Sequence, residues 1–84
     1  MMMIDEILGI LNAEFNLPNV KLPVVDFGIF WTDLVTYKDW RLQQNSISKS
    51  ARILDENNYR IAWGTVNGMR KVLDRRKELE EKYH

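Results

Sequence analysis

Few of the 84 residues can act as a nucleophile, a proton shuttle or a soft metal ligand. Cysteine is absent, and the one histidine, His84, is the last residue of the chain. Thiol catalysis, disulfides and any zinc site built on Cys and His are therefore excluded for this sequence. A chain terminus usually frays, so His84 is also a poor general base. Ser46, Ser48 and Ser50 flank Lys49, but a serine–lysine pair needs a buried, desolvated lysine, and this one falls in a polar turn. Asp26, Asp33, Asp39, Asp55 and Glu56 make a carboxylate pair only if the fold brings two of them together. The preference of aspartate for turns makes surface roles the expectation. Asp55-Glu56-Asn57-Asn58 lacks the spacing and the terminal glutamate of a calcium loop. No catalytic residue, metal site or cofactor site is expected, and the chain reads as non-enzymatic.

Binding chemistry is better represented. In Trp63-Gly64-Thr65-Val66-Asn67-Gly68-Met69-Arg70-Lys71, glycines precede and open a helix, with two cations following. Free amides at a helix N-terminus suit a phosphate or carboxylate, so Gly64, Thr65, Gly68, Arg70 and Lys71 are candidate anion contacts. The segment is not a P-loop, which has four residues between its glycines and then Lys-Ser/Thr. Between residues 40 and 77, Arg41, Lys49, Arg52, Arg60, Arg70, Lys71, Arg75, Arg76 and Lys77 interleave with Trp40, Tyr59 and Trp63. Aromatic side chains beside arginines on a sheet can stack single-stranded bases, and Arg41, Arg52 and Arg60 are the candidate contacts. A pI near 6.6 argues against a dominant nucleic-acid role.

Net charge is zero but unevenly placed. Residues 1–40 hold two basic and six acidic residues, −4; residues 41–84 hold ten and six, +4. The halves either neutralise each other within the fold or meet across a salt-dependent contact between copies. The lack of cysteine suggests a reducing, cytoplasmic setting. The N-terminus has no basic signal-peptide region, and no apolar run is long enough to span a membrane. Eighty-four residues make one small α+β domain of limited core, for which oligomerisation is a common remedy.

These residues must be positioned by a few short elements. Ile4, Ile7, Leu8, Leu11 and Phe15 fall at helical spacing, predicting a helix over about 3–16 that Asn16 closes and Pro18 forbids from continuing. Val24, Val25 and Phe27 are expected to pack on the body or form an edge strand. Residues 29–37 fit either a helix or a strand, and their aromatic and β-branched content favours a strand. Residues 40–47 alternate and end in the turn Ser48-Lys49-Ser50. Residues 51–63 read as a hairpin with a three-residue loop, Glu56-Asn57-Asn58, and Asn58 left-handed. That loop pairs Ile53 with Ile61 and Ala51 with Trp63, placing Trp63 in the core. A two-residue loop would instead set Arg52 opposite Trp63. Thr65 is the expected N-cap of a second helix to about residue 82, whose stripe Arg76 interrupts, so its last turns should project past the core.

The expected fold is an N-terminal helix, a three-stranded antiparallel meander and a C-terminal helix, both helices on one sheet face. The expected core is Ile7, Leu8, Leu11, Ile53, Ile61, Trp63, Met69, Val72 and Leu73. The expected function is a protein-interaction module that forms a homodimer, without a membrane partner; single-stranded nucleic acid is the alternative ligand.

Overall fold

The computed structural model describes residues 3–17, 21–24 and 29–83. Helix α1 spans Ile4–Phe15, and strands β1 to β5 span Leu22–Pro23, Trp31–Tyr37, Trp40–Asn45, Ala51–Leu54 and Tyr59–Gly64. Helix α2 spans Val66–Tyr83. The strands form one antiparallel sheet in the order β1-β5-β4-β3-β2. The α+β class agrees with the sequence, but the sheet has five strands where three were expected. Residues 31–37 are a strand, each alternating run after them makes a strand of its own, and Leu22–Pro23 adds a short edge beside Arg60 and Tyr59. Pro18, Val25 and Phe27 lie outside the described residues.

Local signals place the helix ends. Asn16 adopts φ 54 and returns its N–H to the Asn12 carbonyl, closing α1 in the left-handed conformation that asparagine tolerates. The Thr65 hydroxyl accepts the Gly68 N–H at 3.0 Å, the bond of an N-cap. A Cβ at Gly68 would stand 3.0 Å from that hydroxyl oxygen, a tight contact that the hydroxyl would have to yield to by a few tenths of an ångström.

The core lies between the sheet and the helices. Helix α2 packs across β3, β4 and β5, and α1 lies against α2. Ile7, Leu11, Ile53, Ile61, Met69, Val72 and Leu73 are buried as expected, while Leu8 is only partly so. Trp40, Leu42, Ala51, Ala62 and Leu79 complete the cluster.

The hairpin between β4 and β5 corrects the expected register. Its loop is as predicted: Asn58 has φ 62, and Asp55 donates its N–H to the Tyr59 carbonyl at 3.0 Å. The Asp55 carboxylate also accepts the N–H groups of Asn57 and Tyr59, each at 2.9 Å. Leu54 then pairs with Arg60, but Ile53 pairs with Ala62, Arg52 with Trp63 and Ala51 with Gly64. Ile61 is therefore the extra residue of a bulge. The bulge lets Ile61 and Ala62, adjacent in sequence, both enter the core. It also turns Trp63 to the opposite face, where it is 37% exposed.

Nor does the end of α2 project past the body. Leu79 is buried, and Arg76 is only 4% exposed because its guanidinium sits 4.3 Å from the Trp40 ring centre. A stacked, hydrogen-bonded guanidinium can occupy a position in an apolar stripe where a free charge cannot.

Candidate functional site

The face of the sheet away from the helices carries Arg41, Arg52, Arg60 and Trp63. It uses most of them internally. Arg52 lies 3.8 Å from the Trp31 ring centre and donates from Nε to Gln43 Oε1 at 2.9 Å. Gln43 donates in turn from Nε2 to Asp33 Oδ1 at 2.7 Å. This chain of polar groups crosses β4, β3 and β2, and Arg52 and Gln43 are buried. Arg41 donates to the Asn58 side-chain carbonyl, and Arg60 stacks 4.2 Å from the Trp63 ring centre. Of the three arginines named as contacts, Arg52 thus serves the fold, while Arg41 and Arg60 remain half-exposed. Trp63 and Tyr59 present aromatic surface to solvent, at 37% and 40% exposure, whereas Trp40 is buried.

The N-terminus of α2 does not gather its cations. Gly64 and Thr65 are exposed, and the Thr65 hydroxyl occupies the Gly68 amide. Arg70 instead lines a small cavity of about 110 Å³ with Val35, Leu73, Asp74 and Lys77, while Lys71 points to solvent. The candidate anion contacts therefore do not converge.

The third constellation was legible in the sequence only as the (i, i+4) spacing of Arg76 and Glu80 on α2. At the tight turn between β2 and β3, Arg76 donates to Asp39 Oδ1 at 2.9 Å and to Glu80 Oε1 at 3.1 Å. Lys38 reaches Glu80 Oε2 at 2.6 Å. Burial raises the Glu80 carboxyl, but bonds from Lys38 and Tyr37 outweigh it and hold the group below its usual value. Burial acts on Asp39 in the same way, and its bonds with Arg76 and Glu56 outweigh that too. Glu56 is pushed up, chiefly by its hydrogen bond with Asp39. Asp39 and Glu56 are thus the carboxylate pair that the sequence allowed, with unequal proton affinities. Glu56 lies at the surface in a hairpin loop, and the cavity beside Arg70 includes neither Asp39 nor Glu56. No group of three or more metal-ligating side chains gathers among the described residues. Ser48 and Ser50 hydrogen-bond each other at 2.9 Å, and Lys49 is exposed, not desolvated as a serine–lysine pair requires.

What the surface does present is apolar. Ile29, Phe30 and Ile47 are 73%, 53% and 71% exposed. The Ser46 N–H donates to the Phe30 carbonyl at 2.8 Å, joining the start of β2 to the turn that carries Ile47. Asn45 shapes that turn by accepting the N–H groups of Ile47 and Ser48 on its side-chain oxygen, at 2.9 and 2.8 Å. Leu34, 37% exposed, lies further along β2, the strand at the end of the sheet order. Exposed apolar side chains gathered at one place mark contact surfaces more often than scattered ones do. The sequence signal was the unbroken Ile29-Phe30-Trp31, which the strand alternation alone could not assign to surface or core. No family model matches the chain, and no curated protein or solved structure matches it either.

Proposed function

We propose that this protein is a non-enzymatic interaction module that self-associates as a homodimer. The observation that carries the reading is the apolar cluster of Ile29, Phe30 and Ile47 at the β2 end of the sheet. Leaving such side chains in water costs free energy that association recovers, at roughly 25 cal/mol for each Å² buried. The small core of an 84-residue chain gives the same incentive. A reducing, cytoplasmic setting accords with the lack of cysteine. No helix among the described residues is long and apolar enough to cross a membrane. Sedimentation velocity from about 1 to about 500 µM tests the reading, small interfaces being typically weak. A concentration-dependent shift to twice the monomer mass is the expected result, and a strict monomer throughout rejects the homodimer.

Single-stranded nucleic acid is the second reading, and the exposure of Tyr59 and Trp63 favours it. It requires that short oligonucleotides bind at low salt and dissociate as salt rises, with Arg60→Ala or Trp63→Ala weakening them. Binding that ignores both substitutions would reject this reading.

A further inference from the structure

We propose that the outer edge of β2 is the dimer contact, pairing antiparallel with β2 of a second copy about a two-fold axis through Thr32. The proposal rests on the reading of the protein as a self-associating module and names the surface that does it.

The two edges of the sheet differ. At one end, β1 sets Leu22 and Pro23 against Arg60 and Tyr59 of β5. Proline has no N–H to offer a further strand, and beyond β1 only Ile61–Gly64 of β5 remain. That remnant begins at a bulge and ends at Gly64 with φ +157. At the other end, no strand pairs with the outer side of β2 among the described residues. Joining the β2 edge of one copy to the β5 edge of the next would build an open filament. The blocked β5 edge prevents it, and pairing like with like closes the assembly at two.

β2 also lacks most of the devices that keep edge strands apart. Residues 31–37 contain no lysine, arginine or proline. Their one charge, Asp33, is drawn towards β3 by the bond from Gln43. The bulge between Asp33 and Val35 breaks the edge, leaving Trp31–Asp33 as the run nearest the apolar cluster. The spacing of the exposed residues then selects the register. A two-fold through Thr32 sets Phe30 of each copy opposite Leu34 of the other and Thr32 opposite itself. Phe30 and Leu34 are the apolar residues that this edge leaves in water, at 53% and 37% exposure. An aromatic–aliphatic pair across strands is favourable, and the symmetry supplies it twice. Ile47 adjoins Phe30 through the Ser46 bond.

Complementary charges test both surface and register in the full chain. Phe30→Lys and Leu34→Glu are each expected to weaken dimerisation at least tenfold in sedimentation. An equimolar mixture should recover to within about threefold of the parent, because only the mixed pair sets the introduced ammonium opposite the introduced carboxylate. In the unsubstituted chain, amide exchange at Trp31 and Asp33, the outward-facing N–H groups of the edge, should slow as concentration rises, a readout that needs no variant to fold. Dimerisation that survives both substitutions would overturn the edge contact while leaving self-association standing. Weakened variants that fail to rescue each other would overturn the Thr32 register. A parent that stays monomeric would end the proposal together with the reading beneath it.

Discussion

Trp40 and Trp63 lie on opposite faces of the same sheet, and their burial sets what each contributes. Trp40 is 2% exposed beneath the Arg76 guanidinium, whereas Trp63 is 37% exposed and stacked on Arg60. Trp40→Ala is expected to cost about 3–5 kcal/mol, as removal of a core aromatic does. Trp63→Ala should cost only about 1 kcal/mol, the scale of an exposed cation–π contact. Thermal melts of the two variants compare the faces directly, and equal losses would mean that the β5 bulge is wrong. Glu56 offers a pH test at the same scale. Its pKa is raised by Asp39, so the folded protein binds that proton more readily than the unfolded chain. Its stabilising contribution is full below the usual 4.5 and is lost as pH rises through the raised value. Glu56→Gln keeps a hydrogen-bond donor for Asp39 and cannot ionise. The expected outcome is a higher melting temperature than the parent at pH 7, with the difference vanishing near pH 4.

At the scale of elements, Arg76 holds the last turns of α2 to the turn between β2 and β3. It bonds one residue on each, Glu80 and Asp39, and covers Trp40 with its guanidinium. Arg76→Ala leaves two carboxylates without their shared cation and uncovers the indole. Asp39 is a third exposed, so the loss is expected at about 2–4 kcal/mol, below that of a fully buried pair. Arg76→Met retains the aliphatic cover and should recover part of it. Denaturant titration of both variants separates the charge from the packing contribution. The same knot explains why α2 does not project as its sequence suggested: the stripe is continued by stacking and bonding instead of by an apolar residue.

Across the whole molecule, the opposite charges of the two halves meet inside the fold. Arg75 of α2 grips Glu14 of α1 with two bonds, at 2.8 and 2.9 Å, and holds its carboxyl below the usual range. Arg76 and Asp39 form a second pair of the same sense between the halves, while Lys38 and Glu80 pair in the opposite sense. These contacts favour neutralisation within the fold over a charged seam between copies. An apolar contact at β2 is accordingly expected to change less than about twofold in dimer affinity between 50 and 500 mM salt, since screening acts on exposed charge. A dissociation constant that rose tenfold over that range would point to an electrostatic interface instead.

Local chemistry in the sequence was enough for the helices, their caps and the turns. Asn16, Asn58 and Thr65 act through bonds to their own neighbours, so their roles follow from residue type and position. The absence of thiols and internal imidazoles likewise needs no fold to be read. Tertiary structure decided the rest. The loop Glu56-Asn57-Asn58 implied pairing of Ile53 with Ile61, and only the competition of Ile61 and Ala62 for the core beneath the helices introduced the bulge that sent Trp63 to the other face. The edge strand β1 and the Asp39–Arg76 bond join residues far apart in the chain, beyond the reach of any periodicity, whereas Arg76–Glu80 is an (i, i+4) pair that helical spacing already implied. The candidate contact surface depends on which strand ends the sheet, a property of strand order that no single segment encodes.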